Sequence, residues 1–144
     1  KSQYMILCII WVILLFISVL ILFTDQFTNV VKDFTQRLRP CRLDELQGLL
    51  RDIDIRCGKY GFFSAHAANS ISVTIFIINC VDESVKKFLK PVLILWVMIF
   101  SYSRIYLGVH YPLDTIFGLS FGIFSGFLFK YLYNYFISVK VFSD

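Results

Sequence analysis

Charged residues are scarce in this sequence, and hydrophobic residues are abundant. Only 17% of the 144 residues are charged, whereas 58% are hydrophobic. This composition is too apolar for an ordinary soluble domain of this length and is typical of the membrane class. The sequence also lacks repeats, low-complexity tracts and linker segments. We therefore predict a single membrane-embedded domain over residues 1–144.

Metal-ligand patterns are also lacking. The two histidines and four cysteines are not paired at the spacing of a zinc site. Asp52 and Asp54 are the candidate carboxylate pair for a divalent ion; we interpret them as solvated loop residues, and a metal site is the alternative. We expect neither a metal ion nor a cofactor.

The hydrophobic runs predict four helices. Tyr4–Thr24 has 21 residues without a charge, enough to cross a hydrocarbon core of about 30 Å at about 1.5 Å per residue. Three further helices are predicted over Ser64–Val81, Phe88–Leu107 and Pro112–Ile137. The fold class is therefore all-α: a polytopic transmembrane helix bundle with four spanning helices in this chain.

Two of these helices show signs of helix–helix contact. The second is rich in small polar residues, which face other helices more often than lipid. The last carries Gly118, Gly122 and Gly126 at intervals of four, a spacing that allows close helix approach.

The first hydrophobic run could alternatively be a signal peptide. No small-residue cleavage site follows it, and it is long for a signal core. The sequence begins at Lys1 without an initiator methionine and enters this run almost at once. We expect an N-terminal part of the natural protein to be missing from this sequence.

Alternating helix directions bring the polar segments to one membrane face. The long segment Asp25–Phe62, the start of the second helix, the end of the third and the start of the last all lie there. That segment has seven Lys/Arg and six Asp/Glu, which a positive-inside count would place in the cytoplasm. Basic residues that bind a ligand would invalidate such a count, so the orientation stays open.

Cysteine usage favours the opposite orientation. Cys41 and Cys57 lie within the long polar segment, and a disulfide between them would require an oxidising face. Such a bond would stabilise the fold by about 3 kcal/mol in the chain-entropy model. The alternative is a pair of free thiols in a reducing compartment.

Three short motifs carry the candidate chemistry. In the first, Lys32 is followed after six residues by Arg39-Pro40. Lys and Arg hold phosphate oxygens, Arg through its planar fork and Lys as a point charge. The alternative is a basic cluster, with Arg37 and Arg42, that contacts lipid head groups.

The second motif is Phe63-Ser64-Ala65-His66. Ser64 is a good helix N-cap. The N–H groups of the first helical turn suit an anion, and His66 would lie within reach of it. A structural histidine at the interface is the alternative.

The third motif contains Ser103, Arg104, His110 and Asp114. Charged groups between apolar runs are expensive and indicate function. A helix that begins near Pro112 would bring His110 close to Asp114, four residues later. Asp114 would then orient one ring nitrogen and leave the other free to attack, while the helix dipole keeps the imidazole neutral. A structural His–Asp cap is the alternative.

Together these motifs resemble those of the type-2 phosphatidic acid phosphatase superfamily: K-x6-RP, PSGH and SR-x5-H-x3-D. The first and third match at every defining position, and the second matches at Ser64 and His66, with Phe63 and Ala65 replacing proline and glycine. The chain looks most like the short bacterial integral-membrane members related to undecaprenyl pyrophosphate phosphatases. That family usually has six helices, two of them before the helix that precedes the first motif.

The resemblance implies a role for each motif residue. His110 would attack phosphorus and form a phosphohistidine, Asp114 would orient it, and His66 would protonate the departing oxygen and then activate water. The groups that would hold the phosphate are Lys32, Arg39, Arg104, the Ser64 hydroxyl and the Ala65 N–H.

The implied function is a metal-independent lipid phosphatase in the bacterial cytoplasmic membrane, with its site on the periplasmic face. The candidate substrates are undecaprenyl pyrophosphate, phosphatidylglycerophosphate, phosphatidic acid and lipid A phosphate. A lipid-to-lipid phosphotransferase and a non-catalytic lipid-binding protein are the alternatives; a vanadium haloperoxidase is excluded by the short, apolar chain. We expect the bilayer as partner and no nucleic acid; the sequence does not predict an oligomeric state.

Overall fold

The computed structural model describes residues 2–46, 48 and 57–141. It contains four α-helices: α1 (Ser2–Thr35), α2 (Ala65–Ile78), α3 (Glu83–Tyr106) and α4 (Pro112–Val141). Two short 3-10 turns, Pro40–Arg42 and Asp44–Leu46, follow α1. The described residues form no strand beyond one isolated bridge between Leu38 and Tyr60. The predicted all-α bundle is confirmed, whereas the Asp52–Asp54 pair lies outside the described residues.

Helix α1 is longer than the sequence predicted. It continues eleven residues beyond Thr24, to Thr35, so the predicted loop start at Asp25 is wrong. No proline or glycine interrupts residues 25–35, and a few charged side chains do not break a helix once it is formed. The helix ends at Thr35, and the next residue, Gln36, has a left-handed φ of 48°. Lys32 therefore lies on a helix rather than in a loop.

Three of the helices are long and apolar enough to cross a membrane: α1, α3 and α4. Helix α2 has 14 residues, about 21 Å at 1.5 Å per residue, which is less than a hydrocarbon core of about 30 Å. It is nevertheless the most enclosed helix, because the other three all pack on it. Its buried side chains include Ala67, Ala68, Ser72 and Phe76.

The closest helix contact lies between α2 and α4, along the glycines of α4. A Cβ atom added to Gly118 would lie 2.5 Å from the backbone oxygen of Ser64. At Gly122 the same atom would lie 2.3 Å from the oxygen of Ala68, and at Gly126 it would lie 2.7 Å from that of Ser72. The predicted close approach is confirmed, and it holds the start of α2 against the start of α4.

We expect Gly122→Ala to destabilise the protein, although alanine is the better helix former by about 1 kcal/mol. The new methyl group meets backbone, which cannot move away as a flexible side chain can. The midpoint of thermal unfolding in detergent should fall. Ser120→Ala is the matched control, because Ser120 is exposed on the same helix and bonds only its own helix backbone. Equal midpoints for the two variants would contradict this prediction.

Candidate functional site

The turn between α3 and α4 fixes the distance from Arg104 to His110. Gly108 adopts a left-handed φ of 67°, which glycine tolerates without strain. Its N–H donates to the Ile105 carbonyl at 2.9 Å, and the Val109 N–H donates to the Arg104 carbonyl at 3.2 Å. These two bonds form a Schellman motif. The His110 N–H donates to the same Arg104 carbonyl at 3.2 Å, so the turn ties the histidine to the end of α3.

Asp114 lies fully buried at the start of α4 and has several partners. Its Oδ2 accepts the N–H of Tyr111 at 3.0 Å, the N3-to-N-cap half of a capping box. Its Oδ1 accepts from Nη1 of Arg37 at 2.8 Å. Its backbone carbonyl accepts the N–H of Ser64 at 3.0 Å, which links the starts of α2 and α4. The carboxylate is therefore fixed before any ligand binds.

His110 is 2% exposed. Its Nδ1 lies 3.5 Å from Oδ2 of Asp114 and makes no hydrogen bond to any described residue. A small approach of the two groups would complete that bond, as catalytic hydrogen bonds often tighten when substrate binds. The Nε2 atom would then be the free nucleophilic nitrogen.

The surroundings of His110 favour its neutral form. Burial lowers the pKa of His110 below its ordinary value of 6.5. The Asp114 carboxylate raises this pKa, whereas the positive charges of Arg39 and Lys32 lower it further. The net effect is a lowered pKa, so the imidazole stays neutral and can act as a nucleophile at neutral pH.

Two chain segments, residues 37–41 and 57–61, pair beside Asp114 and form what we call the basic clasp. The Arg39 N–H donates to the Lys59 carbonyl at 3.3 Å, and the Gly61 N–H donates to the Arg37 carbonyl at 2.9 Å. Nε of Arg39 donates to the Tyr60 carbonyl at 2.9 Å. The clasp thus holds two arginines at the start of α4.

The cysteines lie at the ends of this clasp. The structure brings Cys41 and Cys57 to disulfide-bonding distance, with their Cα atoms 6.6 Å apart. The Cys41 N–H donates to the Gly108 carbonyl at 3.0 Å. The cysteine pair therefore joins the two clasp segments, and the clasp is anchored to the turn that carries His110.

His66 and Arg104 meet at one aromatic ring. The His66 ring centroid lies 5.8 Å from that of Phe100, and the Arg104 guanidinium carbon lies 4.9 Å from the same Phe100 centroid. His66 is also within electrostatic range of His110, Lys32 and Arg39. The structure thus brings both histidines and the three motif cations to one end of the bundle.

The second motif is placed by helix capping. Ser64 is the fully buried N-cap of α2, and its hydroxyl accepts the Ala67 N–H at 3.4 Å. Ala65 is the first helical residue, so its N–H is one of the amides without a partner within the helix. Phe63, where proline was expected by resemblance, packs its ring 5.3 Å from that of Phe121.

Arg37 is the residue whose part in the site the sequence did not reveal. The sequence places it only in a basic cluster, yet it forms the ion pair with buried Asp114, and its guanidinium lies 4.2 Å from the Tyr111 ring centroid. Its position within the six-residue gap between Lys32 and Arg39 was the available signal. The presence of Arg37 between Lys32 and Arg39 does not indicate which carboxylate Arg37 would contact.

We expect Arg37→Ala to lower stability by about 2 kcal/mol, because the buried Asp114 carboxylate loses its charged partner. Thermal unfolding in detergent would show this loss. Arg42→Ala is the matched control, since Arg42 is exposed and donates to a backbone carbonyl, that of Cys57. If Arg37→Ala and Arg42→Ala had equal unfolding midpoints, the ion pair would not have this role.

Comparisons with known proteins agree on one family. Residues 5–138 match the PAP2 superfamily. The chain is 38% identical over 119 residues to a lipid A 4'-phosphatase of Bacteroides thetaiotaomicron, covering 81% of this chain and 52% of that protein. A lipid A 4'-phosphatase of Porphyromonas gingivalis is 35% identical over 117 residues, covering 78% of this chain and 48% of that protein. The chain thus spans about half the length of these curated relatives.

A solved structure has the same fold. The crystal structure of a transmembrane PAP2-type phosphatidylglycerolphosphate phosphatase from Bacillus subtilis superposes with a TM-score of 0.70 at 20% identity. The match covers 92% of this chain and 70% of that one. The family match over nearly the whole sequence confirms the resemblance that the three motifs indicated. Together with its apolar helices, these matches show that this chain is an integral membrane protein that belongs to the PAP2 superfamily.

Proposed function

We propose that this chain carries the active site of a metal-independent lipid phosphatase that works through a phosphohistidine. One observation supports this above all. Two histidines share one end of the bundle with Lys32, Arg39 and Arg104, and the buried one lies beside a fixed carboxylate. Phosphoryl transfer depends mainly on positioning and on stabilising the charge of the transferring group, and this arrangement supplies both.

The proposed reaction has two steps. Nε2 of His110 attacks phosphorus, the bond from phosphorus to the lipid oxygen breaks, and His66 donates a proton to that oxygen. His66 then takes a proton from water, whose oxygen attacks phosphorus while the bond from phosphorus to Nε2 breaks, so that phosphate leaves and His110 is regenerated. Asp114 orients His110 and stabilises its charged state. The three motif cations, the Ser64 hydroxyl and the Ala65 N–H bind the phosphoryl oxygens.

The substrate is proposed to be the phosphomonoester of a membrane lipid, with lipid A phosphate the first candidate. The curated relatives named lipid A 4'-phosphatases support this choice over undecaprenyl pyrophosphate. The phosphatidylglycerolphosphate phosphatase shares only the fold and does not select the substrate.

The proposed location is the bacterial cytoplasmic membrane, with the site facing the periplasm. The Cys41–Cys57 pair supports this orientation, because it lies on the clasp at the active end of the bundle. Disulfides persist on oxidising faces and are rare in the cytosol.

His110→Ala should abolish phosphate release from lipid A phosphate, by about 1,000-fold or more, because the nucleophile is lost. Released phosphate is measured with purified protein in detergent. Lys59→Ala is the control, because this exposed residue lies on the clasp but not among the phosphate-binding groups. Unchanged release by a folded His110→Ala variant would exclude the mechanism. Phosphate appearing on an added acceptor lipid instead of in solution would identify a phosphotransferase.

The acid limb of kcat/KM should lie below pH 6.5, the ordinary pKa of histidine. The attacking His110 must be neutral, and its lowered pKa keeps it neutral until the pH falls below that value. Activity should thus be present at pH 6.5 and decline as the pH falls through the lowered pKa. A limb centred above pH 6.5 would contradict the assignment of neutral, buried His110 as the nucleophile.

A further inference from the structure

A cavity of about 420 Å³ lies beside His66, between α1, α2 and α3. Its lining is mostly apolar with a few polar groups, as in pockets that bind small organic groups. Its lining includes Asp25, His66, Asn69, Trp96 and Phe100. Of these, only His66 has a part in the proposed mechanism.

Asp25 is a carboxylate on α1, directly after the charge-free run Tyr4–Thr24. Nδ2 of Asn69 donates to its Oδ1 at 2.7 Å, and the Asn69 oxygen in turn accepts the Thr24 hydroxyl. Asp25 forms no salt bridge within the described part of the chain. A carboxylate accepts several hydrogen bonds, so Asp25 can bind further donors from the cavity.

The cavity also has an aromatic wall. The rings of Trp96 and Phe100 stack with centroids 5.4 Å apart and planes 12° from parallel. A sugar ring has apolar C–H faces and hydroxyl groups around its edge. An aromatic surface together with the Asp25–Asn69 pair is therefore complementary to a sugar, with its face on the rings and its hydroxyls on the polar pair.

His66 connects this cavity to the phosphate-binding cations. It lines the cavity, and it also lies within electrostatic range of Lys32, Arg39 and Arg104. This inference rests on the proposed function, in which His66 protonates the departing oxygen. The oxygen of the leaving alcohol then lies next to His66. The cavity is then the space that the alcohol enters.

We propose that this cavity is the leaving-group subsite, and that Asp25 and Asn69 select a hydroxyl-bearing headgroup such as a sugar. A pyrophosphate substrate would place a second phosphate in this cavity, where the Asp25 carboxylate in the lining would repel it. The substrate class is accordingly a glycolipid phosphomonoester, and prenyl pyrophosphates are rejected. Asp25 and Asn69 are specificity-determining residues for the reaction.

The test compares two lipids with each variant: lipid A phosphate and undecaprenyl pyrophosphate, in identical detergent micelles. Asp25→Asn removes the charge while keeping the shape of the side chain. We expect its KM for lipid A phosphate to rise about tenfold, because a hydrogen bond to a charged group is lost. Its kcat/KM for the pyrophosphate should rise, since the repulsion is gone.

Asp33→Asn is the matched control. Asp33 is exposed on the same helix, and both carboxylates act electrostatically on Lys32, but Asp33 does not line the cavity. In Asp33→Asn, the ratio of kcat/KM for lipid A phosphate to kcat/KM for undecaprenyl pyrophosphate should therefore equal the wild-type ratio. If Asp33→Asn changed this ratio as much as Asp25→Asn does, the carboxylates would act through their charge on Lys32, and the subsite would be overturned.

Trp96→Leu is a second, independent variant. Trp96 is 45% exposed, so its replacement should leave folding intact. We expect a higher KM for lipid A phosphate and little change for the pyrophosphate. If each variant changed kcat/KM by the same factor for both lipids, the subsite would be overturned while the phosphatase would stay in place. No phosphate release by the wild type from either lipid would overturn the proposed function itself, and this subsite with it.

Discussion

The buried carboxylate of Asp114 is the group on which the arrangement of the site depends. It is completely shielded from solvent, and an unpaired charge there would be costly. Arg37 and the Tyr111 N–H satisfy it, while its backbone carbonyl accepts the Ser64 N–H. Each of these bonds fixes a different segment: the basic clasp, the start of α4 and the start of α2. Asp114 therefore links the three segments: its carboxylate holds the basic clasp and the start of α4, and its backbone carbonyl holds the start of α2.

Close packing of α2 on α4 provides the support behind that point. The glycines of α4 let its backbone approach the carbonyls of Ser64, Ala68 and Ser72, so the two helix starts lie side by side. The hydrophobic effect gives little drive for association inside a bilayer, and close van der Waals contact replaces it. The short α2 is suited to this role, because it is enclosed by the other helices.

The site has basic groups near the histidines and an acidic group in the adjoining cavity. Lys32, Arg39 and Arg104 surround the histidines, whereas Asp25 lies beyond His66 in the adjoining cavity. Lys32 and Asp25 are seven residues apart on α1 and thus share a helix face, about 10 Å apart along the axis. One helix thereby carries both a cation near the histidines and a carboxylate that lines the adjoining cavity.

The sequence by itself determined the all-α membrane fold, because runs of apolar residues have few other stable states, and it determined the family, because the three motifs keep their spacing. It missed the extension of α1 to Thr35, since a few charged residues do not end a helix that is already formed. Only the tertiary structure decided that Arg37, rather than a more conspicuous motif cation, pairs with Asp114, and that Asp25 and Asn69 meet across two helices. These contacts join residues 77 and 44 positions apart. Local patterns constrain backbone conformation over a few residues, whereas partners this distant are chosen by how the helices pack.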